Sequence, residues 1–539
     1  MASPKTDGHP FTYSTADVIF CSSDNVHFRL HKIILSLASD FFKDMFSLPQ
    51  PPLPPSAPAP SKSPHLGIAQ TDELEGLPLV HVTETSVVLE SLFRLCYPIA
   101  DPPLQTIEQV RPTLEAALKY QMDEAIDITT HSLLSLVQTA PLRVFAIACR
   151  LSLQKVIGAA ALAVWEQNLQ DSYVEELEDI SADAYHRLLK FCEPSAATQI
   201  KFGRPFLSPP PTSLIVSPGV LGAPKVAFYA RMKPIPACMS NLQGAEVVIQ
   251  TADLSCFAVS ESILNLSSNV WREMILNARS TASQTPLILE VPEHSGVILP
   301  LLELSYPISP PSDLTDIEKL PALIIAARKY KMLAATKALE DALWRLVDPR
   351  RRNAPCDPLS AYFAGCQVGM RAVAEAAALQ TLRFDIVQRT QSGAEPFGAA
   401  AGCLWRLLEY HRRCRAAVRA VVENDQWVAE SWRKKKPRNC SRSSEDMPCW
   451  WKKYLAAIAK DPWPSSAFAT SESVLQEAVA RSIGSWSDSA CSHCAGAWGM
   501  LLLFSISKYV AETMDAREKE VALEWPMSAE SSTKQAESQ

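Results

Sequence analysis

Asp17-Val-Ile-Phe-Cys-Ser-Ser-Asp24, then Asn25-Val-His-Phe-Arg-Leu30, then His31-Lys-Ile-Ile-Leu-Ser-Leu-Ala-Ser-Asp-Phe-Phe-Lys-Asp-Met-Phe46 is the stretch that decides the fold. Val18-Ile-Phe-Cys21 is a short apolar run and Val26-His-Phe-Arg-Leu30 alternates. Asp24-Asn25 between them is turn chemistry, so a β-hairpin is expected. Ile33, Ile34 and Leu37, then Phe41 and Met45, recur at helical spacing, which predicts two short helices. Ala38-Ser39-Asp40 joins them, with Ser39 placed to cap the second.

Working outward, Leu79-Val80-His81-Val82 reads as a third strand. Thr85 or Ser86 opens a helix through Cys96, stopped by Tyr97-Pro98. Further helices are expected over Thr106–Tyr120, Asp123 to about Leu136, Leu142–Trp165 and Ala182–Phe191. The fold class this predicts is α+β and predominantly helical: a small three-stranded sheet covered by helices.

The same pattern returns later in the chain. Glu246-Val-Val-Ile-Gln-Thr-Ala-Asp253 matches Asp17–Asp24, and the likeness runs without a gap to Ile275 at an offset of 229. Leu95-Cys-Tyr-Pro-Ile99 answers Leu304-Ser-Tyr-Pro-Ile308, and Lys119-Tyr-Gln-Met122 answers Lys329-Tyr-Lys-Met332. Pro141-Leu142, Cys149 and Ala159–Leu162 answer Pro358-Leu359, Cys366 and Ala376–Leu379. Arg187-Leu-Leu189 answers Arg406-Leu-Leu408. An ordered series of this length predicts a duplicated unit.

Composition bounds the function. The 539 residues carry 51 Lys and Arg against 58 Asp and Glu, a net charge of −7, which argues against a dedicated nucleic-acid binder. With 47 % apolar residues the chain can build cores. Only 17 residues are Gly, and neither GxGxxG nor GxxxxGK[ST] occurs, so two large enzyme classes lose their usual signature. The N-terminus lacks a charged head followed by an apolar run, and the most apolar late stretch, Ala495 to Ile506, is too short to span a bilayer and is expected to be a buried helix. Fourteen Cys at irregular intervals read as reduced thiols of an intracellular protein, in cytoplasm, nucleus or both.

Asp17-Val-Ile-Phe followed by His31-Lys32, Leu35, Ser39, Phe42 and Met45-Phe46 at this spacing resembles the signature of the BTB/POZ domain. The later Leu-Cys-Tyr-Pro, Leu-Lys-Tyr-Gln-Met and Pro-Leu-Arg-Val-Phe-Ala-Ile-Ala-Cys-Arg runs resemble BTB proteins of mushroom-forming fungi. The second copy keeps Leu264, Ser268, Trp271 and Met274, with Ser260-Glu261 in place of His31-Lys32, and resembles a diverged BTB domain. The resemblance implies a non-enzymatic protein–protein interaction protein, a scaffold or adaptor, dimerising through its BTB surface. It also implies docking to a cullin ubiquitin ligase or to a transcriptional complex as alternatives. A tethered second copy further suggests pairing of the two copies within one chain. By resemblance Asp17, with Glu246 as its counterpart, lies near the dimer surface.

The layout this predicts is a first BTB unit over 14–136 with a Pro-rich insertion at 48–66, trailing helices over 137–192 and a Pro-rich linker over 193–243. A second, diverged unit follows over 244–345, with trailing helices over 346–414, a Trp- and Cys-containing helical module over 415–525 and a disordered tail over 526–539. Eight prolines between Pro49 and Pro64 favour polyproline II, read as a spacer before a ligand loop. His31 and Ser39 are expected to hold the hairpin against the first helix by local hydrogen bonds rather than to catalyse, because no nucleophile elbow is present. Cys440, Cys449, Cys491 and Cys494 are the candidate ligands of a structural zinc, with ordinary thiols the preferred reading because the first pair is loosely spaced. Arg433-Lys-Lys-Lys-Pro-Arg438 reads first as a solvated face and second as an import signal. Membrane and nucleic-acid partners are not expected.

Overall fold

The structure, a computed structural model, describes residues 9–48, 72–74, 76–193, 239, 246–281, 286–306, 312–348, 356–389, 399–428, 448–461, 465–480, 494 and 496–525. Most of the Pro-rich insertion, most of the linker, the basic run at 433–438, Cys440, Cys491 and the tail lie outside these residues. The described residues fall into two compact units, one within Met1–Ile180 and Ala184–Thr212, the other within Ser181–Asp183 and Ser213–Gln539.

In the first unit, β1 (Val18–Cys21) and β2 (His27–Leu30) form the expected hairpin, antiparallel with Phe20 opposite Phe28. Its turn closes through Asn25 at φ 60°, a left-handed position that asparagine tolerates better than most residues. The Ser22 hydroxyl locks it, accepting from the Val26 N–H at 2.9 Å. α1 (Lys32–Ala38) and α2 (Asp40–Ser47) follow as predicted. The sheet departs from the expected three strands. β3 (Asp72–Leu74) turns at Gly76, φ 77°, and runs antiparallel to β4 (Leu77–His81), giving the order β2-β1-β4-β3 with β1 and β4 parallel. The fourth strand comes from the residues after the Pro-rich run, where no alternating apolar pattern announces it.

α3 (Ser86–Arg94), α4 (Ile107–Lys119) and α5 (Asp123–Ser135) cover the sheet. Their inner faces join Val18, Phe20, Phe28, Leu35, Phe42 and Phe93 in one apolar core, with Phe20 edge-on to Phe42 at 5.5 Å and to Phe93 at 5.7 Å. Burial of aromatic side chains of this size is the main favourable term holding the unit together. The single helix expected over Leu142–Trp165 is two: α6 (Pro141–Arg150) and α7 (Gln154–Glu166). Ser152 breaks it at φ 59°, with the Leu153 N–H returning to the Ala148 carbonyl at 2.9 Å. Arg111 and Arg150 both reach Asp179, at 2.5 and 3.0 Å, and Arg143 reaches Glu176 at 2.6 Å, pinning α4 and α6 to the turn at Glu175–Asp179. α8 spans Ala182–Cys192.

The second unit opens on β5 (Val247–Gln250) and β6 (Cys256–Val259), an antiparallel hairpin, with β7 (Leu287–Glu290) parallel to β5. The order β6-β5-β7 repeats β2-β1-β4, with no added strand among the described residues. α9 (Glu261–Ser267), α10 (Asn269–Thr281), α11 (Ser295–Ser305), α12 (Leu320–Lys329) and α13 (Leu333–Val347) follow in the order of α1 to α5. α14 (Pro358–Gln367) and α15 (Arg371–Thr381) are separated at Gly369, φ 71°, the counterpart of the break at Ser152. Gly365 packs so close to α15 that an added Cβ would lie 2.9 Å from the Ala374 nitrogen.

The C-terminal helices α16 (Ala401–Glu423), α17 (Trp451–Ala459), α18 (Glu472–Ala480) and α19 (Ala497–Glu520) build a core around Trp450, Trp451, Tyr454 and Val510. α19 corrects the expectation of a short buried helix. It buries Leu502, Leu503 and Ile506 and exposes Trp498, Leu501 and Phe504 on its other side. Among the described residues no helix is long and apolar enough to cross a membrane.

Candidate interaction surface

Two classes of residue separate within the first unit. Leu35, Ser39 and Phe42 are buried, and Met45 packs against the same core. These signature positions build the core of the domain. Ser39 caps α2, accepting from the Phe42 N–H at 3.1 Å, while its hydroxyl donates to the Tyr120 carbonyl at 2.5 Å. The cap therefore also clamps the end of α4, adding a long-range bond to the local one.

His31 behaves similarly. Its backbone N–H donates to the Tyr97 hydroxyl at 2.8 Å, and its Nε2 lies 2.8 Å from the Thr15 hydroxyl. The ring does not cap α1. That task falls to Asp17, whose Oδ1 accepts from the Lys32 N–H at 2.7 Å. A carboxylate at a helix N-terminus satisfies an orphan donor and opposes the helix dipole favourably. Asp17 is exposed, but its carboxylate is engaged within its own unit.

Asp24 ties the hairpin turn to α3, accepting from the Ser86 N–H at 2.7 Å and the Ser86 hydroxyl at 2.5 Å. Burial opposes its ionisation, yet the hydrogen bonds from Ser86 and Ser22 outweigh that and hold the carboxyl down at about 2. Glu84 takes the Tyr120 hydroxyl and the Lys119 ammonium, each at 2.6 Å. Burial again opposes its charge, and those two donors hold it below the usual carboxylate range. The Tyr120 phenol is pushed well up by burial and by that carboxylate.

The second unit repeats this set residue by residue. Glu246 accepts from the Glu261 N–H at 3.0 Å, and the Ser260 N–H donates to the Tyr306 hydroxyl at 3.0 Å. Ser268 accepts from the Trp271 N–H at 3.1 Å and donates to the Tyr330 carbonyl. Asp253 takes both the N–H and the hydroxyl of Ser295, at 3.0 and 2.5 Å, and Glu293 takes Tyr330 and Lys329, each at 2.5 Å. Leu264 and Trp271 are buried and Met274 is half-buried. Trp271 stacks on Tyr330 at 4.3 Å where Phe42 stacks on Tyr120 at 5.0 Å.

What faces solvent is a different set. On α1, Ile33 is 66 % and Leu37 82 % exposed, one turn apart on the same side. Leu48 after α2 is 66 % exposed. On α9 the equivalent of Leu37, Leu266, is 86 % exposed, while Ser262 stands at the place of Ile33. The helical spacing that identified α1 included Ile33 and Leu37 but did not separate them from the buried Leu35.

Of the four candidate zinc ligands, Cys449 and Cys494 are described and belong to the C-terminal apolar core; Cys440 and Cys491 lie outside the described residues. Among the described residues no group of three His, Cys, Asp or Glu is placed to hold a metal ion.

No curated protein and no solved structure matches the chain. The profile of the BTB/POZ domain family matches residues 10–54, the stretch that holds the hairpin, the Asp17 and Ser39 caps and the exposed face of α1. Residues 10–54 carry a BTB/POZ domain, a module of protein–protein interaction.

Proposed function

We propose that the chain is a non-enzymatic scaffold in which the first unit pairs with the first unit of another chain across the outer face of α1. The observation that carries this reading is the exposure of Ile33 and Leu37 on a helix whose other positions are fixed by the core and the caps. Isologous pairing needs the same patch on both partners, and two copies of α1 supply it. The second unit is read as a diverged copy of the first. Its strand order, its hairpin register and its tethers support that reading. It retains Leu266 but carries Ser262 where the first has Ile33, so its own face is about half as apolar.

Sedimentation of the full chain between about 1 and 100 μM tests the proposal. The expected result is a concentration-dependent dimer that Leu37→Glu weakens at least ~10-fold and Leu266→Glu leaves unchanged. A chain that stays monomeric throughout sinks pairing between chains. If, in that monomer, hydrogen exchange over 33–37 slows only while Leu266 is intact, the two copies pair within one chain instead.

A further inference from the structure

The two sheets end differently. In the first, β4 is covered on its outer edge by β3, with Asp72 opposite Leu79 and Leu74 opposite Leu77. Leu79, Ile19 and Cys21 are buried there in a small apolar cluster with Leu77. In the second, β7 pairs with β5 alone among the described residues. Its register sets Ile288 at the place of Leu79, since Val248 faces Ile288 as Ile19 faces Leu79. Ile288 is 55 % exposed where Leu79 is 8 % exposed.

The backbone of β7 is left half used. The N–H groups of Leu287 and Val291 bond to the carbonyls of Glu246 and Gln250 on β5, at 3.1 and 2.9 Å. Donors alternate sides along a strand, so those of Ile288 and Glu290 point away from β5. Among the described residues no strand pairs with them. Residues 48–76 supply the added strand in the first unit, whereas only residues 282–286 join α10 to β7.

We propose that the outer edge of β7 joins the same edge of a second copy of this chain, antiparallel, about a two-fold axis through Ile288. The register is self-complementary. Ile288 faces its own counterpart, Leu287 faces Leu289 on the core side, and Glu290 faces Pro286, so apolar residues meet apolar ones and no like charges stand directly opposite. Each copy gives the Ile288 N–H and carbonyl and the Glu290 N–H to the shared ladder, and Pro286 contributes its carbonyl. An uncovered strand edge with an exposed branched apolar residue is a template for such pairing. Two four-residue edges bury well under the ~1,200 Å² of a stable interface, which makes the association weak and concentration-driven.

The test is made in the full-length Leu37→Glu chain, so that pairing through α1 is removed whether or not it occurs. Sedimentation up to about 300 μM is expected to show self-association, reduced at least ~10-fold when Ile288→Lys is added, because a charged edge residue blocks pairing. Ile288→Thr, which keeps a strand-forming side chain, guards against misfolding and is expected to weaken association by a smaller factor. In the same samples the amides of Ile288 and Glu290 are expected to exchange more slowly as concentration rises. A Leu37→Glu chain that stays monomeric, or one whose association ignores both Ile288 variants, overturns the proposal. So does exchange at Ile288 and Glu290 that is slow at all concentrations, which would mean that the chain's own residues cover the edge.

Discussion

The hairpin unit beginning at Asp17 and the one beginning at Glu246 agree where they are polar inside and differ where they meet solvent. Ser39 and Ser268, Asp24 and Asp253, and Glu84 and Glu293 make the same bonds to the same structural partners. Yet Ile33 faces Ser262 across the comparison, and β3 covers one sheet edge and has no counterpart among the described residues on the other. The lesson lies in His31 and Ser260. The bond the two units share at this position comes from the backbone N–H, to Tyr97 or to Tyr306, so it survives a change of side chain even though the His31 ring also meets Thr15. Bonds that use a side-chain oxygen leave no such freedom, because an apolar replacement strands a buried partner.

The largest expected effect tests that rule at its strictest point. Ser39→Ala removes an N-cap, worth about 1 kcal/mol, and leaves the Tyr120 carbonyl without its donor, worth about 1–3 kcal/mol. Each unit is expected to lose about 2–3 kcal/mol when its serine goes, Ser39→Ala in the first and Ser268→Ala in the second, read by chemical denaturation with hydrogen exchange assigning the loss to a unit. Losses that differ by more than about 1 kcal/mol would break the equivalence of the two clamps.

The next effect concerns acid. Asp24 and Asp253 are each held at about 2: burial works against the charge, and hydrogen bonds from Ser86 and Ser22, or from Ser295 and Thr251, overcome it. A carboxyl lowered on folding contributes stability that is complete above its unfolded value and is lost as pH falls toward its folded one. Both units should therefore weaken between about pH 4 and pH 2. The carboxylates sit near solvent, and screening reduces the loss to about 1 kcal/mol or less for each. Asp24→Asn should flatten the acid limb of the first unit only, and Asp253→Asn that of the second only; a flattening that crosses between units would sink the local assignment.

These tethers also mark the limit of the sequence. The hairpin, α1, α2 and the strand at Leu79 follow from period and turn chemistry, and Ser39 was legible as a cap. Ile33 and Leu37 were legible as part of the helical period, and their exposure came only with the structure. The roles of Tyr97, Tyr120 and Glu84 were not, although the repeat flagged Tyr97 and Tyr120, because their partners lie 36 to 81 residues away. The break at Ser152 was hidden by a serine standing where the second unit has Gly369, and that glycine was the one available signal. β3 lacked any period because its pairing rests on backbone bonds beside a Pro-rich insertion.

The smallest expected effect separates the two hairpin turns. Both place one residue in the left-handed region, Asn25 at φ 60° and Leu254 at φ 61°. Asparagine visits that region readily; leucine has its Cβ crowded against the following carbonyl there, at a cost of roughly 1 kcal/mol or somewhat more. Leu254 receives little in return, since its side chain is 75 % exposed. Leu254→Asn should therefore stabilise the second unit by about 0.5–1 kcal/mol, and Asn25→Leu should destabilise the first by a similar amount. Equal and opposite shifts in the denaturation midpoint, at unchanged slope, would locate the difference between the turns in backbone strain. A Leu254→Asn chain no more stable than the parent would instead mean that the exposed leucine is held by a contact that offsets its strain, and the surface of the second unit around β5 and β6 would then have to be counted as occupied.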